Sequence, residues 1–332
     1  MILNEFYLTD YLMEKGFLSL ESLILDNTLV IKNHSQRTNC YSIESKAVSL
    51  FLKQQHINVD YKNQSFLHEA ELYNSVLQEK KFSPSLIFFD KDHDILCLEY
   101  FRKGQNLYDY IRSKKEYPES IIQSLAEKIS ALHHIPPPST DKTIPWILPL
   151  HSKTAFRYIP RTAAAREIID FIRSNVSFCA EIETLNGLFT YNAFVHNDLK
   201  TNNILFADPS SSSEVYLIDW EFARMGDRLF DLGTLLSSWL FFWAGVNVSL
   251  DKMDSFAFFK ALFLRYREIN QLADPDFFLL ITKYAGLRTI QFCLEATIEE
   301  RNSFASFKRM IQLSLNLLHN DNLLVQYFTS ND

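Results

Sequence analysis

Glycine is scarce, at seven positions in 332 residues. No G-x-G-x-x-G run occurs, which excludes a glycine-rich backbone cradle for phosphate. The four cysteines, Cys40, Cys97, Cys179 and Cys293, are scattered and form no CxxC pair. That spacing speaks against a disulfide framework or a zinc site and leaves reduced, mostly buried thiols. Basic residues are outnumbered, 33 Lys+Arg against 40 Asp+Glu, for a net charge of −7. A broad basic footprint for nucleic acid is therefore not expected, and a cationic substrate is mildly favoured. The first residues, MILNEFYLTDYLMEKGF, lack a basic stretch ahead of an apolar one, so no secretory signal is expected and the cytoplasm is the expected location. Long apolar runs are also rare. Residues 232–250 carry no charge, but Gly233, Ser237, Ser238 and Asn247 dilute them and no Lys/Arg cluster flanks them. They read as a buried core helix, with no membrane association.

What the chain does have is apolar material, 47% hydrophobic and 14% aromatic, enough for one large or two medium domains. The N-terminal third reads as mixed α/β. An amphipathic helix ends near Gly16, and strand-like runs follow at 28–32, 40–43 and 47–54. A helix spans about 66–79, followed by the strands SLIFFD and ILCLEYF around the turn KDHD. Beyond them the pattern turns helical, with NLYDYIRSK, a helix opened by Pro118, and TAAAREIIDFIRSNV. FVHNDLKTNNILF and EVYLIDWEF form a strand pair, and helices fill the rest. The expected fold class is α+β, with a small sheet-rich lobe at 1–100 and a larger helical lobe at 101–332.

HNDLKTNN carries Asp198 and, five residues later, Asn203, and YLIDWE brings Asp219 to the end of the next strand. Phosphoryl transfer asks little covalent chemistry of a protein. It needs Mg²⁺ on the phosphates, a carboxylate to orient the attacking hydroxyl, and a cation on the phosphate oxygens. Asn203 and Asp219 offer the hard oxygen ligands that Mg²⁺ prefers. Asp198 is then free to accept the hydroxyl proton.

The two motifs, H-N-D-L-K-T-N-N and I-D-W-E, resemble those of the aminoglycoside phosphotransferase and choline kinase-like branch of the protein kinase-like fold. Asn197 stands where that family usually has glycine. The resemblance runs from about Val30 to Leu236 and implies a bilobal kinase-like enzyme using ATP and Mg²⁺. It implies that His196 braces the catalytic loop and that Asp231 fixes the loop's backbone by hydrogen bonds. Lys53 sits as the family's ATP-contacting lysine does. Of its two possible glutamate partners, Glu69 shares a helical face with Phe66, Leu72, Tyr73 and Val76, whereas Glu71 lies on a solvated side. Glu69 is the expected partner. Glu99 and Phe101 resemble the linker that reads adenine through backbone groups.

Two departures concern the nucleotide's pose. In KNHSQRTNCYSI, side chains such as Ser35, Arg37, Thr38 and Asn39, or backbone N–H groups in a turn, would have to meet the phosphates. Phe51 stands where a small residue usually lies beside adenine.

Asp219 and Asp231 are too close for a long activation segment, and no A-P-E signature follows, so a phosphorylation-gated protein kinase is not expected. The expected acceptor is a hydroxyl of an aminoglycoside- or choline-like small molecule, for which Glu295 and Glu299 could meet a cationic group. Lys200 keeps a second acceptor in view. D-L-K is the form of Ser/Thr kinases, in which the lysine meets the transferred phosphate. A kinase phosphorylating Ser/Thr of a precursor peptide in a lanthipeptide-type pathway, with a partner enzyme, is therefore an alternative. A nucleotide-binding pseudokinase or scaffold is a third, against which Lys53, Asp198, Asn203 and Asp219 all stand.

Overall fold

In the segment Ser49–Gln54, Leu50 and Leu52 alternate with Ser49 and Phe51, the two-residue period of a strand with two distinct faces. This strand, β3, is the middle of a five-stranded antiparallel sheet with β1 (Val30–Asn33), β2 (Asn39–Glu44), β4 (Leu86–Asp90) and β5 (Ile95–Glu99), in the order β1-β2-β3-β5-β4. The computed structural model describes residues 2–35, 38–55, 64–77, 81–114, 117–136, 142–156, 158, 160–208, 214–245, 254–297, 303–319 and 323–330. Its chain divides into two compact units, Met1–Asn106 with Ile204–Phe222, and Leu107–Asn203 with Ala223–Asp332.

In the first unit, helix α1 (Glu5–Glu14) lays Leu8, Tyr11 and Leu12 on one face of the sheet, against Ile43, Leu52 and Cys97. A polar clasp pins it. Asp90 accepts from Tyr11 Oη at 2.9 Å and pairs with Lys15 at 2.8 Å and His93 at 3.1 Å. A short helix, α2 (Leu20–Leu25), follows behind a capping box at Ser19. Phe66 and Ala70 of α3 (Gln64–Leu72) form a second cluster with Leu96 of β5, and α3 continues into a π turn at Tyr73–Leu77. Strands β8 (Ile204–Phe206) and β9 (Val215–Leu217) pair as expected, and β6 (Gln105–Asn106) joins them in a three-stranded sheet. That pairing places Ile204–Phe222 with the N-terminal residues. Leu217 N also donates to Phe82 O, and Ser83 Oγ donates to Leu217 O.

The second unit is helical: α4 (Leu107–Ser113), α5 (Glu119–His133), α6 (Ala163–Ser174), α7 (Val176–Leu188), α8 (Arg228–Gly245), α9 (Asp254–Ile269), α10 (Phe277–Ala296), α11 (Phe304–Leu318) and α12 (Leu323–Thr329). A two-stranded ribbon joins β7 (Ala193–Val195) to β10 (Arg224–Gly226), a pairing the sequence did not announce. Residues 232–245 of the uncharged run lie in α8, which is buried from Phe230 to Leu240 as expected of a core helix; the rest of the run lies outside the described residues. Gly233 lets α8 approach α10 closely: a Cβ there would lie 2.6 Å from the Cβ of Tyr284. Among the described residues one helix, α10, is long and apolar enough to cross a membrane, and 89% of that stretch is buried within the fold.

Candidate active site

In the first unit, the site is built around Lys53. Register sets it opposite Cys40 on β2 and Leu96 on β5, and its side chain is buried. Its Nζ lies 2.7 Å from Glu69 Oε2 and 2.5 Å from Asp219 Oδ1, so one ammonium bridges two carboxylates. Burial disfavours the charge on Lys53, and attraction to Glu69 and then Asp219 outweighs it, holding the ammonium well above the usual lysine range. Glu69 has the burial of its neighbours Phe66 and Ala70, and its Oε1 accepts from Trp220 N at 3.2 Å. Glu71 is exposed. The glutamate chosen by helical face is thus the one that meets the lysine. Asp219 follows β9 with φ of 70°, a left-handed conformation unusual for a side chain-bearing residue, and its carboxylate is one-third exposed.

The other candidates of this unit that are described make contacts of their own. Asn39 is in β2 itself, buried, with Nδ2 donating to Leu3 O and Gln54 Oε1, each at 3.4 Å. Its amide braces the N-terminal segment against the sheet. Arg37 lies outside the described residues. Ser35 Oγ accepts from Cys40 N at 3.0 Å and closes the β1–β2 hairpin. The Glu99 side chain accepts from Ser85 Oγ, and Phe101 packs its ring 4.6 Å from Tyr216 while its carbonyl accepts from Gly104 N. Phe51 stacks on Tyr100 and adjoins His34.

In the second unit, residues 196–203 leave β7 as a tightly tethered loop. Asp231, near the start of α8, accepts from His196 N at 2.7 Å and Asn197 N at 2.8 Å. The same carboxylate accepts from His133 Nε2 at 3.2 Å, with Tyr266 Oη donating to His133 Nδ1 at 2.6 Å. Burial lowers the pKa of His133, against the opposing pull of Asp231, so the ring sits neutral with its proton on Nε2. Asn197 has φ of 64°, which explains how an asparagine stands at the family's glycine: short amide side chains tolerate the left-handed region. Thr201 N donates to Ser238 Oγ on α8, anchoring the far end of the loop.

Within that frame, Asp198 is held from three sides. Its Oδ2 lies 2.7 Å from Lys200 Nζ and accepts from Asn203 Nδ2 at 3.3 Å, while its Oδ1 accepts from Arg288 Nη2 at 2.8 Å. Asn203 Nδ2 also donates to Asp198 O at 2.9 Å, which turns its Oδ1 away as a possible ligand. Arg288 is a residue the sequence reading missed. It is buried on α10, with Phe230 and Phe292 on its faces at 5.6 and 4.9 Å. The only signal was that Arg288, like Lys283, is a cation inside the apolar stretch FFLLITKYAGLRTIQF.

Among the described residues no three His, Cys, Asp or Glu side chains cluster as a metal site. In the second unit Asn203 carries an amide oxygen, and in the first Asp219 carries a carboxylate, each a hard oxygen of the kind Mg²⁺ takes. Asp219 already faces a cation, the Lys53 ammonium, so its environment suits positive charge.

Residues 100–268, just over half of the chain, match the profile of the phosphotransferase enzyme family, APH. The fold matches a choline/ethanolamine kinase family protein from Mesorhizobium loti, at 14% identity over 96% of this chain and 98% of that one, with a TM-score of 0.59. It matches LicA, the choline kinase of Streptococcus pneumoniae, in complex with AMP, at 15% identity over 95% and 97% of the two chains, with a TM-score of 0.56. It also matches an aminoglycoside-3'-phosphotransferase of type VIII, at 18% identity over 85% and 98%, with a TM-score of 0.52. The kinase-like fold and the profile agree, and the chain belongs to the phosphotransferase enzyme family.

Proposed function

We propose that the chain moves the γ-phosphoryl group of ATP, with Mg²⁺, onto a hydroxyl of a small molecule. The observation that carries this reading is the Lys53 ammonium held between Glu69 and Asp219 in a phosphotransferase-family chain. Lys53 is suited to neutralising phosphate oxygens, and Glu69 fixes where its ammonium lies. Backbone groups at Glu99 and Phe101 are assigned to the adenine, in keeping with the AMP held by LicA. Asp198 is the base that orients the hydroxyl and accepts its proton, and Lys200 is assigned to the transferred phosphate. Asn203 and Asp219 would hold Mg²⁺, which when bound offsets charge on the phosphates. The acceptor class rests on relatives named for choline, ethanolamine and aminoglycosides, all small hydroxyl compounds.

Phosphorylation of Ser/Thr in a peptide is a second reading, favoured by the D-L-K form of the loop, whose Lys200 stands 2.7 Å from Asp198. The test is turnover of Mg·ATP against a panel of choline, ethanolamine, aminoglycosides and Ser/Thr peptides, read by mass shift of the acceptor. Asp198→Asn should cut transfer by about 10²–10⁴-fold while leaving ATP affinity largely intact. Nucleotide binding without transfer to any member of the panel would count against the enzyme reading, and undiminished transfer in Asp198→Asn against the base.

A further inference from the structure

Arg288 presents a charge that burial penalises and that only Asp198 among the described residues pairs with. The contact is through one nitrogen. Nη2 holds Oδ1, whereas Nε, on the same edge of the guanidinium, is buried without a hydrogen-bond partner among the described residues. Arginine–carboxylate pairs frequently close as a fork on both oxygens. Here the carboxylate is turned instead so that Oδ2 meets Lys200, whose side chain is 31% exposed, and Asn203. Phe230 and Phe292 clamp the guanidinium in place.

We infer that Arg288 is a positioning residue for phosphoryl transfer, fixing Asp198 through Oδ1 and so reserving Oδ2 to take the acceptor's proton. In the transfer, the acceptor's O–H proton passes to Oδ2, its oxygen bonds to the γ-phosphorus, and the bond from that phosphorus to the bridging oxygen breaks to release ADP. Lys200 yields Oδ2 to the hydroxyl, and Arg288 keeps the carboxylate from rotating as it does so. The inference rests on Asp198 being the base.

The test is a double-mutant cycle on the full chain, with Mg·ATP and water as the probe acceptor. Wild type, Asp198→Asn, Arg288→Met, the double variant and Arg288→Lys are compared for kcat and for KM of ATP. Arg288→Met should lower kcat about 10- to 100-fold, the scale of a misplaced catalytic group, with KM for ATP within about twofold of wild type. Arg288→Lys should recover part of the loss. The double variant should be no slower than Asp198→Asn, because Arg288 acts only through that carboxylate. Losses that multiply, or an Arg288→Met protein at the wild-type rate, overturn the inference. An Arg288→Met protein that does not fold, beside Arg288→Lys at full rate, leaves only a structural role and overturns it too. An unfolded Arg288→Met beside a slowed, folded Arg288→Lys supports it. Undiminished turnover in Asp198→Asn sinks the assignment of the base instead, and is seen before Arg288 is considered.

Discussion

A single ammonium shared by two carboxylates sets the terms at the scale of the residue. Removing Glu69 leaves Lys53 with Asp219 as its partner and strands Trp220 N without an acceptor. Breaking a buried ion pair costs about 3–5 kcal/mol, and the surviving carboxylate puts Glu69→Ala near the lower end. Urea unfolding followed by circular dichroism measures it, and a loss below about 1 kcal/mol contradicts the buried-pair account. At Asn197 the left-handed backbone sets the cost of substitution. Asn197→Gly should hold stability within a few tenths of a kcal/mol, whereas Asn197→Ala should lose about 1–2 kcal/mol to the left-handed φ. Equal stabilities of the two variants in the same unfolding assay would rule out strain at this position. Several of these residues were legible beforehand. The helical period separates Glu69 from Glu71, and Asp198, Asn203 and Asp219 stand out by their spacing in two polar motifs. Arg288 was not, since it lies 90 residues from Asp198 along the chain and only folding brings them together. Asn39 shows the reverse: it stands next to a polar loop in sequence, but strand pairing turns its amide inward.

Among the elements, α8 and α10 determine how rigid the catalytic loop is. Asp231 and Ser238 on α8 hold the loop's backbone, and Arg288 on α10 holds Asp198. The two helices touch where Gly233 allows it, with Ala285 N and Ile281 O each 3.0 Å from where a Cβ would lie. Those are backbone atoms with little room to yield. Gly233→Ala should therefore cost about 1–3 kcal/mol and slow transfer by spreading the helices, as read by thermal unfolding alongside kcat. An alanine variant with unchanged melting temperature would mean that the helices part without penalty. The strands and most helices were readable from their periods and their proline stops. The π turn at Tyr73–Leu77 and the β7–β10 ribbon were not, because three-residue strands leave too short a pattern to detect.

For the whole molecule, the buried His133 links stability to pH. Its pKa in the folded chain lies below the ordinary value of 6.5, mainly through burial. The unfolded chain therefore binds a proton that the folded chain refuses, and stability is present above about pH 6.5 and lost as pH falls beneath it. His34, lowered by burial and by Lys32, adds in the same direction. The melting temperature should decline from pH 7 to pH 5, and His133→Gln should flatten that decline. A slope unaffected by the substitution would assign the effect to other groups. The division of the chain into units has a further consequence for anyone who would dissect it. The backbone passes from one unit to the other at 106/107, 203/204 and 222/223, so each is assembled from two separate stretches. A fragment ending at Asn106 would keep Lys53 and Glu69 but forfeit Asp219 and β8, the strand that pairs with β6. The residues proposed for phosphoryl transfer are thus interlaced along the polypeptide, and no single cut can separate the unit of Lys53 from the unit of Asp198 with both left whole.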